Sequence, residues 1–211
     1  MKKTLILALL TLSLFFSIDT VSASATPIQT DHPNVTSSTR HTKPNIALIV
    51  NSDAISQLHE KTPKAIRNLF KEKFPESQYT LTEDKQLYQA LLTSMEDEKI
   101  FDISMVNREI LSSLGKKYGY DYVLLLVYKY GSSDYSSSVW SSTYKAAVIL
   151  QAKVVDVDTK EYLYRQDVSV TGKSTDAFGD PSFQSAVNKS MINTTKKFCE
   201  EVKIETVSAP R

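Results

Sequence analysis

The segment Asp121-Tyr-Val-Leu-Leu-Leu-Val-Tyr-Lys-Tyr130 is the most strand-like stretch of the chain. Its residues are almost all β-branched, leucine or aromatic, and such side chains fit the pleated surface of a sheet. Because apolar residues here do not alternate with polar ones, both faces of the strand should be covered. The segment therefore predicts a central strand of a sheet.

A long antiparallel hairpin is predicted to follow this strand. From Tyr144 to Val157 every second residue is apolar, so one face of that strand should be buried more deeply than the other, which carries Gln151 and Lys153. Residues 156–161 (DVDTKE) have the composition of a turn, and Tyr162 to Thr171 returns as a further strand. The expected inward residues are Ala146, Val148, Leu150, Ala152 and Val154.

The rest of the chain alternates short strands with helical patterns. Residues 45–50 (NIALIV) and 78–81 (QYTL) are typical of strands, and four stretches carry apolar residues at helical spacing. This mixture predicts an α/β (α+β) fold, with a mixed four- to five-stranded sheet flanked by about four helices. The predicted helices cover 63–74 with Thr62 as N-cap, 83–95, 104–119 with Ser104 as N-cap and Gly119 as the left-handed end, and 181–203.

The amino terminus has the pattern of a secretory signal. A basic start at residues 2–3 precedes an apolar run from 5 to 16, which is shorter than the about 20 residues of a spanning helix. Small residues ending at Ala25 place the cut between Ala25 and Thr26, with a second frame two residues earlier. We expect an exported protein, periplasmic or secreted, without a stable membrane anchor after cleavage; an uncleaved anchor is the alternative.

Four regions follow from this pattern. Residues 1–25 are the expected signal peptide. Residues 26–43 are polar and Pro-, Ser- and Thr-rich, so they predict a flexible linker. Residues 44–204 are long enough for a single α/β domain with its own core, and 205–211 predict a disordered tail.

Cys199 is the only cysteine of the chain. An intramolecular disulfide is therefore impossible, and no cysteine follows the apolar run to accept a lipid. A small buried residue is the favoured interpretation of Cys199, with an intermolecular disulfide or a reactive thiol as alternatives.

Charge gives no sign of a polyanionic partner. The 25 basic and 24 acidic residues of the whole chain become 23 of each once residues 1–25, with two lysines and one aspartate, are removed. A neutral chain has no net attraction for phosphate backbones, so we expect no nucleic-acid binding.

No catalytic, metal or cofactor constellation is visible in the sequence. The three histidines, at positions 32, 41 and 59, do not pair at ligand spacing, and no glycine-rich phosphate loop or nucleophile elbow occurs. The acidic 156–161 turn fails as a calcium loop, because Lys160 stands at a ligand position and Glu161 where glycine is needed. We expect no enzyme activity, no metal and no cofactor.

The segment Gly131-Ser-Ser-Asp-Tyr-Ser-Ser-Ser-Val-Trp-Ser-Ser142 holds the only tryptophan. Serine and glycine with interspersed aromatic residues are typical of adaptable loops that contact a partner. Tyr135, Val139 and Trp140 are therefore the candidate partner-binding residues. The alternative is a hairpin tip whose Tyr135 and Trp140 fold back onto the sheet.

Residues 104–172 resemble a group of bacterial envelope modules: the amino-terminal domain of TolB, the curli-secretion lipoproteins and the penicillin-binding-protein activators. The resemblance rests on 114–124 (LGKKYGYDYVL) and on the later hairpin segment 152–162 (AKVVDVDTKEY). Two features depart from the group: the chain lacks the lipid cysteine of its lipoprotein members, and Lys160 stands where a turn glycine is usual. The resemblance implies a non-catalytic α/β adaptor and no particular partner.

These observations favour an exported, non-catalytic interaction or adaptor domain of the bacterial cell envelope, whose partner is another envelope protein. Two alternatives stay open at this point. A periplasmic small-ligand-binding domain would need a closed apolar pocket with a few polar groups. An unrecognised hydrolase would need His59 beside a serine and an acid.

Overall fold

The computed structural model describes residues 43–52, 61–177 and 181–204. All of them belong to one compact unit that spans residues 40–211. The predicted signal cleavage site at Ala25 and Thr26, the 26–42 part of the predicted linker, His59 and the predicted 205–211 tail lie outside the described residues.

A mixed five-stranded sheet forms the centre of the fold, in the order β2-β1-β3-β4-β5. β1 runs parallel to β2 and β3, whereas β3, β4 and β5 are antiparallel neighbours. The predicted fold class is confirmed. The strands are β1 (Asn45–Asn51), β2 (Thr80–Thr82), β3 (Tyr122–Ser137), β4 (Ser142–Asp156) and β5 (Tyr162–Asp176), and the helices are α1 (Lys61–Lys73), α2 (Lys85–Asp97), α3 (Arg108–Tyr118) and α4 (Phe183–Glu201).

Each face of the sheet has its own apolar core, and β3 contributes to both. Leu124 and Leu126 face the core formed with α1 and α4, whereas Val123 and Leu125 face the core formed with α2 and α3. All four side chains are fully buried. This is the two-sided burial predicted for the central strand, and it follows from the period of two along a strand.

The expected inward residues of β4 are all buried, but Lys153 on its other face is a correction. The polar set was expected to be the less buried one, yet Lys153 is only 8% exposed. The α2–α3 connection covers it, and two backbone carbonyls there accept hydrogen bonds from its ammonium group.

Two of the predicted N-cap residues are wrong. Asn107, not Ser104, caps α3 by accepting from Ile110 N–H at 2.9 Å, while Ser104 lies in a short 3₁₀ turn, Ile103–Met105. Thr62 lies inside α1 rather than before it. Gly119 ends α3 with φ at +77°, as predicted, because a left-handed residue is needed there.

Lys160 also lies in the left-handed region, with φ at +58°. Asp156 organises this turn, because its Oδ1 accepts from the backbone N–H groups of Asp158 and Thr159, both at 2.9 Å. The acidic segment is thus a hairpin turn, and Lys160 takes the conformation that glycine adopts most easily.

Helix α4 lies unusually close to β5. A Cβ at Gly172 would collide with Ala186 O and Ser190 N, so only glycine lets the helix backbone approach. The buried Ser190 hydroxyl then reaches the ladder between β4 and β5, where it accepts from Val148 N–H at 2.8 Å and donates to Val170 O at 2.6 Å. Gly172 and Ser190 therefore fix α4 to the sheet.

Candidate functional site

The Ser-rich segment 131–142 was expected to form an adaptable loop, but most of it is strand. β3 and β4 pair without interruption as far as Ser137 opposite Ser142, except for a register shift at Gly131. Serine is a weak strand former, so the pairing partner β4 imposes the conformation. β1 ends opposite Val127, and the hairpin projects beyond it. We call this projection, residues 129–149, the arm.

Serine hydroxyls close the tip of the arm. Ser138 N–H donates to Ser141 O at 2.8 Å, and Ser141 N–H donates to Ser138 Oγ at 3.1 Å. These bonds satisfy the backbone of the turn locally and leave its two central residues, Val139 and Trp140, free to project.

Aromatic side chains form a continuous row along one face of the arm. Tyr135 lies on Tyr144 with ring centroids 4.7 Å apart, and Phe183 of α4 contacts both Tyr144 at 6.1 Å and Tyr130 at 5.9 Å. Tyr135 Oη also donates to Ser142 Oγ at 3.2 Å. These contacts stiffen the arm, since tilted and edge-to-face aromatic pairs are favourable beyond simple burial.

Tyr135 lies at the outer end of this row, and Val139 and Trp140 are the two central residues of the turn beyond it. Val139 is 91% exposed, Trp140 79% and Tyr135 49%. Trp140 is thus exposed, as the binding hypothesis requires, whereas Tyr135 is half covered by Tyr144. Their contact with a partner stays a prediction.

A second polar cluster lies where the arm leaves the sheet. Lys129 Nζ donates to Asp102 Oδ2 and to Ser104 Oγ, both at 2.8 Å. Lys153 Nζ donates to the backbone oxygens of Ser104 and Val106, both at 2.6 Å. The two lysines fasten the α2–α3 connection to β3 and β4.

Two groups of this cluster have pKa values below their usual ones. Hydrogen bonding from Lys129 and Ser104 lowers the pKa of Asp102 to about 2. Burial, with a smaller contribution from Arg165, lowers the pKa of Lys153. The Lys153 ammonium group donates to two carbonyls and is covered by the connection. The cluster therefore positions the α2–α3 connection.

The sequence patterns do not predict this cluster, because Lys129 and Lys153 occur on strands, where a polar residue normally indicates a face exposed to solvent. The same connection presents two exposed apolar side chains, Phe101 and Met105, which are 97% and 72% exposed. They lie outside the arm, and Phe101 is a useful control for it.

Cys199 is buried, as favoured from the sequence, and the reactive-thiol interpretation loses support. Burial raises the pKa of its thiol to about 12. Since the thiolate is the reactive form, Cys199 should be inert in the folded protein at neutral pH.

Two surface grooves are the candidates for a small-ligand site. One, about 260 Å³, is lined mainly by polar residues of α4. The other, about 210 Å³, lies between α1 and the strands and is bordered by the Arg67–Glu83 ion pair. Both are open and smaller than the roughly 300–1,000 Å³ of typical ligand pockets, so neither supports a small-ligand site.

Within the described ranges, no three His, Cys, Asp or Glu side chains come together as a metal site. None of the helices in the same ranges is long and apolar enough to cross a membrane.

No protein-family model matches the chain, and no curated protein matches it significantly. Similar solved structures include a hypothetical protein from Chlamydia trachomatis, at 12% identity and TM-score 0.39, covering 75% of this chain and 92% of that one. Lipoprotein GNA1162 from Neisseria meningitidis is 12% identical at TM-score 0.34, covering 66% and 87%. The C-terminal domain of LpoB from Salmonella enterica is 15% identical at TM-score 0.31, covering 60% and 82%. At such values, function has to be inferred from the arm itself.

Proposed function

We propose that this chain is an exported, non-catalytic interaction module of the bacterial cell envelope, and that it binds another envelope protein through Tyr135, Val139 and Trp140. The observation that carries the proposal is the position of Trp140, which is 79% exposed at the end of a hydrogen-bonded, aromatic-stiffened arm. The export pattern and the resemblance of residues 104–172 support the location.

Physical chemistry favours this use of the arm. An exposed tryptophan on a rigid support can bury a large apolar area without a large loss of side-chain or backbone entropy on binding. Tryptophan and tyrosine are also the residues most often found at the energetic centre of protein interfaces. The arm thus has the chemistry of a partner-binding surface.

The test is a pull-down from an envelope fraction with the wild-type chain, Tyr135→Ala and Trp140→Ala. We expect recovery of the partner to fall at least tenfold for Trp140→Ala, since such anchors contribute on the order of 2 kcal/mol or more. Phe101→Ala is the matched control, because it removes an even more exposed aromatic ring outside the arm. Unchanged recovery with both arm variants would refute the proposal.

A further inference from the structure

The outer edge of β3 extends past the end of β1 along the arm. β4 occupies one side of β3 as far as Ser137, but β1 stops opposite Val127 on the other side. Among the described residues, no strand pairs with this outer edge beyond Val127. Within the described ranges, the arm therefore presents an unpaired edge from 132 to 137.

The direction of the backbone groups follows from the turn. Because Ser138 N–H bonds to Ser141 O, the hydrogen-bonded pairs with β4 recur at every second residue back along β3, at 136 and 134. The N–H and C=O groups of Ser133, Tyr135 and Ser137 accordingly point away from β4. They form a three-residue template for another strand.

The outer edge of the arm and the edge formed by β5 differ in how they are protected. β5 carries Arg165, Asp167 and Lys173, and Lys189 Nζ donates to Lys173 O at 3.1 Å. Charged side chains of this kind are the usual defence of an edge strand. Residues 132–137 (SSDYSS) contain a single charge, Asp134, which lies opposite Lys145 of β4. The β3 edge is therefore the one suited to strand addition.

We infer that two copies of this chain pair through their arms, with the outer edges of β3 antiparallel and Tyr135 opposite Tyr135 of the second copy. The inference rests on the proposed function, since it takes the arm as a protein-binding surface and names one protein that fits it. A two-fold arrangement closes after two copies and leaves neither β3 edge exposed.

The register is self-complementary. It places Ser133 opposite Ser137 of the other copy and Asp134 opposite Ser136, so no like charges meet across the new pair.

A cysteine at the two-fold axis tests this register directly. Hydrogen-bonded antiparallel pairs have Cα atoms about 5.5 Å apart, within the range of about 4.4–6.8 Å that a disulfide spans. We expect Tyr135→Cys to form a covalent dimer rapidly under mild oxidation. The native Cys199 is buried and does not compete.

Ser136→Cys is the matched control for this cross-link. In this register, residue 136 of one copy and residue 136 of the other are diagonal neighbours. Their Cα atoms would be about 7–8 Å apart, too far for a disulfide. Equal cross-linking of the two variants, or none at Tyr135→Cys, would overturn the inference.

Proline variants test the backbone pairing without any cross-link. Ser133→Pro removes an outward N–H and leaves the β3–β4 ladder intact, as proline allows on an edge. Sedimentation equilibrium should show a concentration-dependent doubling of mass for wild type. Dimerisation should weaken roughly tenfold or more for Ser133→Pro, since two donors are lost per dimer.

Thr171→Pro removes a backbone N–H from the outer edge of β5, on the same side of the strand as Lys173 O. This edge lies on the other side of the sheet from the arm pairing, so the dimer should be unchanged. A monomeric wild type, or equal loss with Thr171→Pro, would contradict edge pairing. If the chain is monomeric but Trp140→Ala still loses an envelope partner, the dimer is wrong and the proposed function stands. If neither dimerisation nor partner recovery depends on the arm, both are wrong.

Discussion

Trp140 is the residue on which the functional proposal depends. Its side chain projects from a turn whose backbone is satisfied by Ser138 and Ser141, so its exposure does not require the strands to open. The ring is therefore available without a conformational change, and a binding partner would pay little to order it.

Fluorescence checks this exposure, because Trp140 is the only tryptophan. We expect emission near that of tryptophan in water and efficient quenching by a neutral quencher such as acrylamide. Urea-unfolded protein is the reference, and Phe101→Ala should not alter the spectrum. A blue-shifted, quencher-resistant emission from the dilute protein would show that the ring is folded back onto the sheet.

Cys199 should behave as an inert core residue. Burial raises the pKa of its thiol to about 12, so both the thiolate and the access needed for alkylation are scarce at pH 7. Labelling by a maleimide should be slow in native buffer and fast in denaturant. Fast native labelling would contradict the burial of this side chain.

Asp102 should make stability depend on acid pH. The pKa of its carboxyl falls from 3.8 to about 2 in the folded state through hydrogen bonds from Lys129 and Ser104. Because the folded pKa is the lower one, this stabilisation is present above pH 4 and is lost as the pH falls from about 4 to 2. The free energy of unfolding of Asp102→Asn should be lower than that of wild type at pH 6, and the difference should shrink by pH 2. A constant difference across this range would exclude the ionised pair as its origin.

At the scale of elements, the contact of α4 with the sheet explains why the arm has a firm base. Gly172 lets the helix approach, and Ser190 completes hydrogen bonds of the β4–β5 ladder. Phe183, at the start of the same helix, then meets the aromatic row of the arm. A loosened α4 would therefore loosen the arm.

Gly172→Ala should destabilise the fold by about 1–3 kcal/mol or more, because the added methyl group collides with the backbone of α4. Gly131→Ala is the control: its Cβ would come no closer than 3.0 Å to Ala147 O, and we expect a smaller loss. Chemical denaturation of both variants measures the difference. Equal stability of the two variants would mean that α4 does not rest on Gly172.

Ser190→Ala should cost about 1–3 kcal/mol, since it leaves Val148 N–H and Val170 O without their hydroxyl partner in a buried site. Ser190→Thr keeps the hydroxyl and should recover part of the loss. No change in the midpoint of urea unfolding for Ser190→Ala would show that the ladder closes without this side chain.

Elements with strong periodicity were predictable, and those imposed by neighbours were not. The apolar run of β3 and the alternation in β4 fixed their faces from sequence alone, because burial dominates those positions. The Ser-rich half of β3 has no such signal and becomes a strand only through pairing with β4. Lys153 is buried because a distant loop supplies carbonyl acceptors, which no local pattern reveals.

At the scale of the whole molecule, the two cores hold the sheet and helices together, and the outer part of the arm projects beyond them. Helices cover both faces of the central sheet, while the arm extends past the end of β1 and exposes aromatic residues. Composition alone singles out Tyr135, Val139 and Trp140 as candidates. Only the pairing of β3 with β4 shows that they lie in the outer part of a long hairpin. The domain is thus a support for one projecting surface.

The most direct test of that claim is photo-cross-linking in intact cells. A photoreactive phenylalanine analogue is placed at position 140 of the full chain, and at the even more exposed position 101 as control. We predict discrete cross-linked adducts from position 140 and none of comparable yield from position 101. Absence of adducts at 140, or equal yields at the two positions, would contradict the arm as the partner-binding surface.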